Sequence, residues 1–177
     1  FRKAPGFFDV VTYTGDGLID REVSHSLDSV PGMIMVKKTS GEGGWYVWHR
    51  NLGGTGRAMT LHSTDTLDIN SNLFPALPTS TTFSPGDNSH TNQYNQTYVA
   101  YIFAHDDARF GINGDESIIK CGSYTGNGSS DGPEIELGFE PQFLLYKNIT
   151  QATNWEVIDT MRGMPNTSGE HNGYMTL

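Results

Sequence analysis

The sequence has little of several features that would restrict its fold or function. It contains a single cysteine, Cys121, so no disulfide can form within the chain. No apolar stretch approaches the roughly 20 residues that a membrane-spanning helix needs, so membrane insertion is not expected. Only 18% of the 177 residues are charged, and acidic residues outnumber basic ones by 20 to 11. Because nucleic-acid binding requires clustered Lys and Arg, this acidic chain is not expected to bind nucleic acid.

Helical periodicity is also missing. No window of about a dozen residues keeps apolar residues at i, i+3, i+4 and i+7 without a glycine or proline. The sequence has instead 21 glycines, 8 prolines and short apolar or alternating runs, a pattern typical of antiparallel strands joined by turns. The predicted strands are residues 7–14, 21–24, 32–38, 45–49, 58–61, 81–83, 97–105, 117–124, 134–136, 142–148, 154–159 and 173–177. The predicted fold is all-β, an antiparallel β-sandwich or a jelly-roll-like arrangement.

Part of the first half of the chain is repeated in the second half. Four pairs of segments correspond: 13–17 with 124–128, 27–31 with 137–141, 33–36 with 143–146, and 45–47 with 155–157. The pairs share Tyr-Thr-Gly-x-Gly, Leu-x-x-x-Pro, an apolar run and Trp-x-Val, in that order. Apolar residues at consecutive positions are typical of a strand covered on both faces. Both apolar runs, 33–36 and 143–146, are therefore predicted to be central strands.

The repeat predicts three regions, which are a first β unit at 1–105, an acidic Gly/Asp linker at 106–116 and a second β unit at 117–177. The first unit continues with strands that have no counterpart in the second. The second of these two homologous tandem halves is therefore expected to be incomplete, and the chain to be part of a longer polypeptide. Repeats that cannot bury an apolar strand alone pack on each other or on neighbouring subunits, so a homo-oligomer is expected.

Five segments distributed along the chain are distinctive enough to compare with known families. They are APGFFDVVTYTG at 4–15, PGMIMVK at 31–37, YVAYIFAHDD at 98–107, CGSYTGNG at 121–128 and LGFEPQ at 137–142. These segments resemble a domain of unknown function that recurs in structural and tail-fibre-like proteins of tailed phages, especially marine and cyanobacterial phages. The resemblance implies a module of a fibre, tail or capsid decoration protein, displayed on the virion surface with other virion subunits as partners. It implies no catalytic residues.

The linker holds the richest cluster of candidate metal ligands. Ca²⁺ takes six to eight oxygen ligands from carboxylates, amides and carbonyls in a flexible loop. The candidate ligands are Asp106, Asp107, Asn113, Asp115 and Glu116. The spacing of an EF-hand is missing, and a solvated acidic linker with Asx turns would need no metal. The linker is expected to hold no cofactor, with Ca²⁺ as the alternative.

Aromatic residues close to amides suggest a second kind of site. Sugar-binding sites combine an aromatic face with amide or carboxylate hydrogen-bonding partners. The candidate glycan-binding residues are Tyr46, Trp48, Asn92, Tyr94 and Asn95. The alternative is that Trp48 belongs to the core.

Signals of catalysis are weak. The six histidines have no metal-ligand spacing, no nucleophile elbow or phosphate-binding loop occurs, and Cys121 is expected to pack as a small hydrophobe. The expected function is a non-enzymatic virion structural module that could contact host-surface polysaccharide. The alternatives are a dedicated lectin-like receptor-binding domain and, less favoured, a glycan-degrading enzyme.

Overall fold

A computed structural model describes residues 2–163 and the backbone of residues 174–176. The strands in this part of the chain are β1 (Phe8–Thr14), β2 (Val23–Ser24), β3 (Met33–Lys38), β4 (Trp45–His49), β5 (Arg57–Thr60), β6 (Asp68–Ile69), β7 (Thr82–Phe83), β8 (Thr97–Phe103), β9 (Phe143–Lys147), β10 (Trp155–Asp159) and β11 (Tyr174–Thr176). The predicted all-β class is confirmed. None of the described residues belongs to a helix long and apolar enough to cross a membrane.

Six strands form the main sheet, in the order β1-β8-β3-β4-β5-β6, and every neighbouring pair is antiparallel. The central position predicted for 33–36 is confirmed, because β3 pairs with β8 on one side and with β4 on the other. A separate two-stranded sheet joins β2 to β7. The order places the two longest strands, β1 and β8, side by side at one end of the sheet.

The main sheet is apolar on both faces, and each face contributes to a different core cluster. One cluster combines sheet residues with residues from the loops and the two-stranded sheet: Ile34, Val36, Tyr46, Trp48, Ala100 and Ile102 with Leu27, Leu73, Phe74 and Phe83. The other cluster holds Phe8, Met35, Val47, Met59 and Phe103, together with Trp155 from β10. The consecutive apolar residues of β3 are explained by burial on both sides.

The remaining three strands form a second sheet in the order β11-β10-β9. Its hairpin from β9 to β10 has the same register as the hairpin from β3 to β4, because Lys147 lies opposite Trp155 as Lys37 lies opposite Trp45. The next pair agrees as well: Val47 lies opposite Met59 in the main sheet, and Val157 lies opposite Met175 in the second sheet. The segments aligned by sequence therefore adopt the same local pairing.

Three predictions about the second half of the chain are wrong. Among the described strands, β9 lies at the edge of its sheet and is not central, with β10 as its neighbour. Residues 117–124 and 134–136 form no strand. Their counterparts in the repeat, β1 and β2, pair with β8 and β7, and the described part of the second half contains no equivalent partners. A strand needs a neighbour for its backbone hydrogen bonds, so β-compatible sequence alone is not enough.

Candidate functional site

One side of β9 carries backbone groups without a partner strand in the described part of the chain. The Thr160 amide donates to the Gln142 carbonyl at 3.1 Å, which places these two residues in a hydrogen-bonded pair. Hydrogen-bonded and non-hydrogen-bonded pairs alternate in an antiparallel ladder. The backbone groups of Phe143, Leu145 and Lys147 therefore point away from β10. We call the backbone groups of these three residues the β9 edge.

The apolar side chains at the start of β9 are unusually exposed. Phe143 is 49% exposed and Leu144 is 41% exposed, although both lie within a regular strand. Ile34, which corresponds to Leu144 in the repeat, is fully buried because the neighbouring β8 places Ile102 beside it. Within the described part of the chain, the edge thus combines backbone groups that have no partner strand with exposed apolar side chains, which is a template for pairing with another strand.

The outer edge of β1 is constructed differently. Lys3 donates from Nζ to the Val10 carbonyl at 3.1 Å and pairs with the Asp9 carboxylate at 2.6 Å. Burial alone would raise the pKa of Asp9, but Lys3 and the backbone amides of Ser26 and Val10 lower it overall. A charged side chain placed along a sheet edge discourages pairing with another chain. The β1 edge is therefore protected.

Among the described residues, no charged side chain blocks the β9 edge in this way. The one charged residue of β9, Lys147, directs its Nζ to the Thr153 carbonyl at 2.7 Å and to the Thr64 carbonyl at 3.2 Å. The ammonium group is thereby held by loops and is not extended across the β9 edge. Lys3 therefore blocks the β1 edge, whereas Lys147 leaves the β9 edge open.

Trp155 fixes the second sheet against the main sheet. Its side chain is 2% exposed and belongs to the cluster that includes Met35, Val47 and Met59. Its indole Nε1 donates to the Thr60 carbonyl at 2.8 Å. Large apolar burial and a directional hydrogen bond act on the same side chain, so β10 and its neighbour β9 are held in a defined position.

Three of the predicted glycan-binding residues are buried. Trp48 lies in the core cluster, as its alternative interpretation proposed, and Tyr46 stacks on His90 with ring centroids 4.6 Å apart. The side-chain amide of Asn92 is fully buried and donates to Asp16 Oδ1 at 2.9 Å and to the Gly86 carbonyl at 2.6 Å. These side chains present no face to a ligand. Sequence alone did not indicate that Asn92 joins two loops.

The other two glycan candidates are accessible. Tyr94 is 75% exposed, and Asn95 beside it is exposed in the left-handed region with φ of 58°. The five candidates therefore do not form one surface. Only Tyr94 and Asn95 remain available for contact with a sugar.

The structure distributes the five predicted metal ligands of the linker over separate interactions: Asp106, Asp107, Asn113, Asp115 and Glu116. Asp107 pairs with Arg109 at 2.7 Å, and Asp106 lies 3.6 Å from the ammonium of Lys120. The side chains of the remaining three are exposed. Within the described residues, no group of three or more His, Cys, Asp or Glu residues is arranged to hold a metal ion.

Cys121 is confirmed as a buried packing residue. Its Sγ donates to the Ala104 carbonyl at 3.4 Å, and burial raises the pKa of the thiol to about 12. His105 does not activate it, since His105 Nδ1 accepts a hydrogen bond from the Cys121 backbone amide at 3.1 Å. A Cβ at Gly32 would lie 2.7 Å from Sγ, so the thiol fills space that only glycine leaves open. This environment is the opposite of that of a nucleophilic cysteine.

In comparison with known families, residues 3–174 match the model of a family described as a domain of unknown function (DUF7483). The chain belongs to this family. The match extends over the main sheet and into the second sheet, so the DUF7483 domain includes both. Neither the curated proteins nor the solved structures contain a match to the chain.

Proposed function

We propose that this DUF7483 domain is a non-enzymatic structural module of a phage particle. It is carried in a fibre, tail or capsid decoration protein, is displayed on the particle surface, and assembles with other virion subunits or with further copies of itself. The observation that supports this proposal most directly is the open, apolar β9 edge on a sheet that Trp155 holds in place. Such an edge suits assembly, because pairing would cover it.

The two sheets are proposed to derive from duplication of one β unit. The support is the shared register, in which Lys37 opposite Trp45 corresponds to Lys147 opposite Trp155. Packing of the second sheet on one face of the main sheet gives the sandwich-like arrangement of the proposed module. Among the described residues, the first unit contains β8, and no strand of the second unit corresponds to it.

The polar chemistry of the domain supports a structural role. The buried carboxylate of Asp9 is committed to Lys3. Asp16 forms an ion pair with Arg21 at 2.7 Å and accepts a hydrogen bond from Asn92. These groups connect loops to strands, so their charges are used in structural contacts.

A test of the proposed function is to identify the protein in purified particles. Phage particles produced from a genome that carries the gene would be analysed by mass spectrometry, and antibodies against the domain would be visualised on them by immunogold electron microscopy. We expect the protein in stoichiometric amounts and labelling of intact particles. Its presence in infected cells together with its absence from purified particles would contradict the proposal.

Glycan binding is the second candidate, and one observation favours it. Tyr94 is a largely exposed aromatic side chain next to the amide of Asn95. A glycan array would detect binding, and Tyr94→Ala would be compared with Ile69→Ala, which also removes an exposed apolar side chain. Saccharide binding lost in the first variant alone would favour a lectin. Release of reducing ends from host polysaccharide would instead favour an enzyme.

A further inference from the structure

We infer that the β9 edge binds one extended polypeptide strand, antiparallel to β9, that has the alternating apolar pattern of β8 and is supplied by a neighbouring subunit. This inference rests on the proposed function, because it names the partner of a module that is proposed to assemble. It is more specific than non-specific hydrophobic association, because it fixes the direction and the register of the incoming strand.

The main sheet supplies the template for this interaction. The Thr39 amide donates to the Thr97 carbonyl at 2.8 Å, so alternate residues of β3 bond to β8 through their outward-facing groups. Met33 and Met35, which lie opposite Phe103 and Tyr101, are among them. Strand β9 has the same register with β10 as β3 has with β4, so its outward-facing residues occupy the positions that β8 covers in the main sheet.

The register of the incoming strand follows from this correspondence. Phe143 takes the position of Met33, and Leu145 takes that of Met35. The residues of the incoming strand that correspond to Phe103 and Tyr101 would therefore lie opposite Phe143 and Leu145. The residue between them, equivalent to Ile102, would lie beside Leu144 and cover it, as Ile102 covers Ile34.

Strands β8, β1 and β6 of the same fold are poor donors. Strand β8 is enclosed between β1 and β3, so a second folded copy cannot offer it. The outer side of β1 is crossed by the bond from Lys3 to the Val10 carbonyl. Strand β6 spans only Asp68–Ile69. The inferred partner is a strand that is extended and unpaired before it binds, as in strand addition to an exposed sheet edge.

The binding test uses the 177-residue chain and a soluble carrier protein that bears residues 95–105 of this sequence at its end. Binding would be measured by fluorescence anisotropy of the labelled carrier. We expect saturable binding that Phe143→Lys weakens by at least about tenfold, since a charge at the edge opposes pairing. Ile69→Lys places the same charge on another exposed edge residue and should leave binding unchanged. Circular dichroism of both variants would establish that they are folded.

Proline substitutions in the carrier segment test the direction of the hydrogen bonds. At the position of Tyr101, proline removes an amide that would donate to Leu145 and should abolish binding. At the position of Ala100, proline removes an amide that faces away from β9 and should be tolerated better. Equal effects of the two substitutions would contradict the inferred orientation.

Disulfide trapping tests the register. Phe143→Cys in the chain would be combined with a cysteine at the position of Phe103 or of Val99 in the carrier segment. We expect the disulfide with the first and not with the second, and the buried Cys121 serves as the unreactive background. The inference would be overturned if the carrier did not bind, or if the disulfide formed preferentially with the cysteine at the position of Val99. It would also be overturned if the chain formed a dimer that Phe143→Lys dissociates. Particles that contain the protein while the carrier does not bind would refute this inference and leave the proposed function intact.

Discussion

Replacing Trp155 tests whether the second sheet is fixed to the main sheet as described. The side chain is buried in a cluster with Met35, Val47 and Met59, and its Nε1 donates to the Thr60 carbonyl at 2.8 Å. Removing a large buried aromatic side chain typically costs about 3–5 kcal/mol. Because a domain of this size is typically stable by about 5–15 kcal/mol, Trp155→Ala should remove a large part of the free energy of unfolding.

A smaller substitution separates the two contributions of Trp155. Trp155→Phe keeps most of the apolar surface but leaves the Thr60 carbonyl without its indole donor, which should cost about 1–3 kcal/mol. Guanidinium unfolding followed by circular dichroism would measure both variants, with Tyr94→Ala as an exposed aromatic control expected to change stability by less than about 0.5 kcal/mol. A loss below about 1 kcal/mol for Trp155→Ala would refute the described packing.

Three further predictions concern Asn92, Asp16 and the thiol of Cys121. Asn92→Ala should lower the free energy of unfolding by about 1–3 kcal/mol, measured by denaturant titration, because Asp16 Oδ1 and the Gly86 carbonyl lose their shared donor. Burial would raise the pKa of Asp16, but its bonds to the Leu18 amide, Arg21 and Asn92 lower it to about 2. Its contribution to stability is therefore complete above the unfolded-state pKa of about 3.9 and is lost as the pH falls towards 2. In a series of denaturant unfolding experiments at different pH values, Asp16→Asn should reduce the change in the free energy of unfolding over this range. Cys121 in the native chain should resist iodoacetamide at pH 8 and react after unfolding, because its pKa of about 12 reduces the thiolate fraction more than about a thousandfold; equal labelling rates would contradict its burial.

The strands of the main sheet could be predicted from sequence because the spacing of their apolar residues indicates which faces of each strand are buried. The apolar run of β3 requires burial on both faces, and the structure supplies it with β8 and β4 as neighbours. Strand β4 was predicted with its observed bounds, Trp45–His49. The two-residue β6 was missed, because two residues cannot show an alternating pattern.

The second half of the chain could be predicted only in part. The apolar run at 143–146 indicated a strand, but the residues of the run do not show whether a second strand pairs with it. The absence of a strand at 117–124 has the same origin, since a pattern compatible with β structure does not provide a pairing partner. The repeat in the sequence nevertheless contained the relevant signal, because the first unit has β8 and the second unit, as given, has no segment like it.

Sequence alone did not show which of the candidate side chains face solvent. Trp48 and Asn92 have the residue types of a sugar site, yet both are buried, and Asn92 serves to hold the loop at Asp16. The carboxylates of the linker were chosen for their density in sequence, whereas Arg109 and Lys120 engage Asp107 and Asp106 in space. The β9 edge was absent from the candidates, because its defining property is a missing neighbour.

The contact between Gly32 and Cys121 constrains how the sequence can vary. Gly32 is required by proximity and not by its backbone angle, since a Cβ there would lie 2.7 Å from both Cβ and Sγ of Cys121. A larger residue at position 32 would require both Cys121 and His105 to give way, since the Cβ of His105 would lie 2.8 Å from the added Cβ. Among relatives of this chain, a residue larger than glycine at position 32 should therefore occur only with compensating changes at both positions 105 and 121.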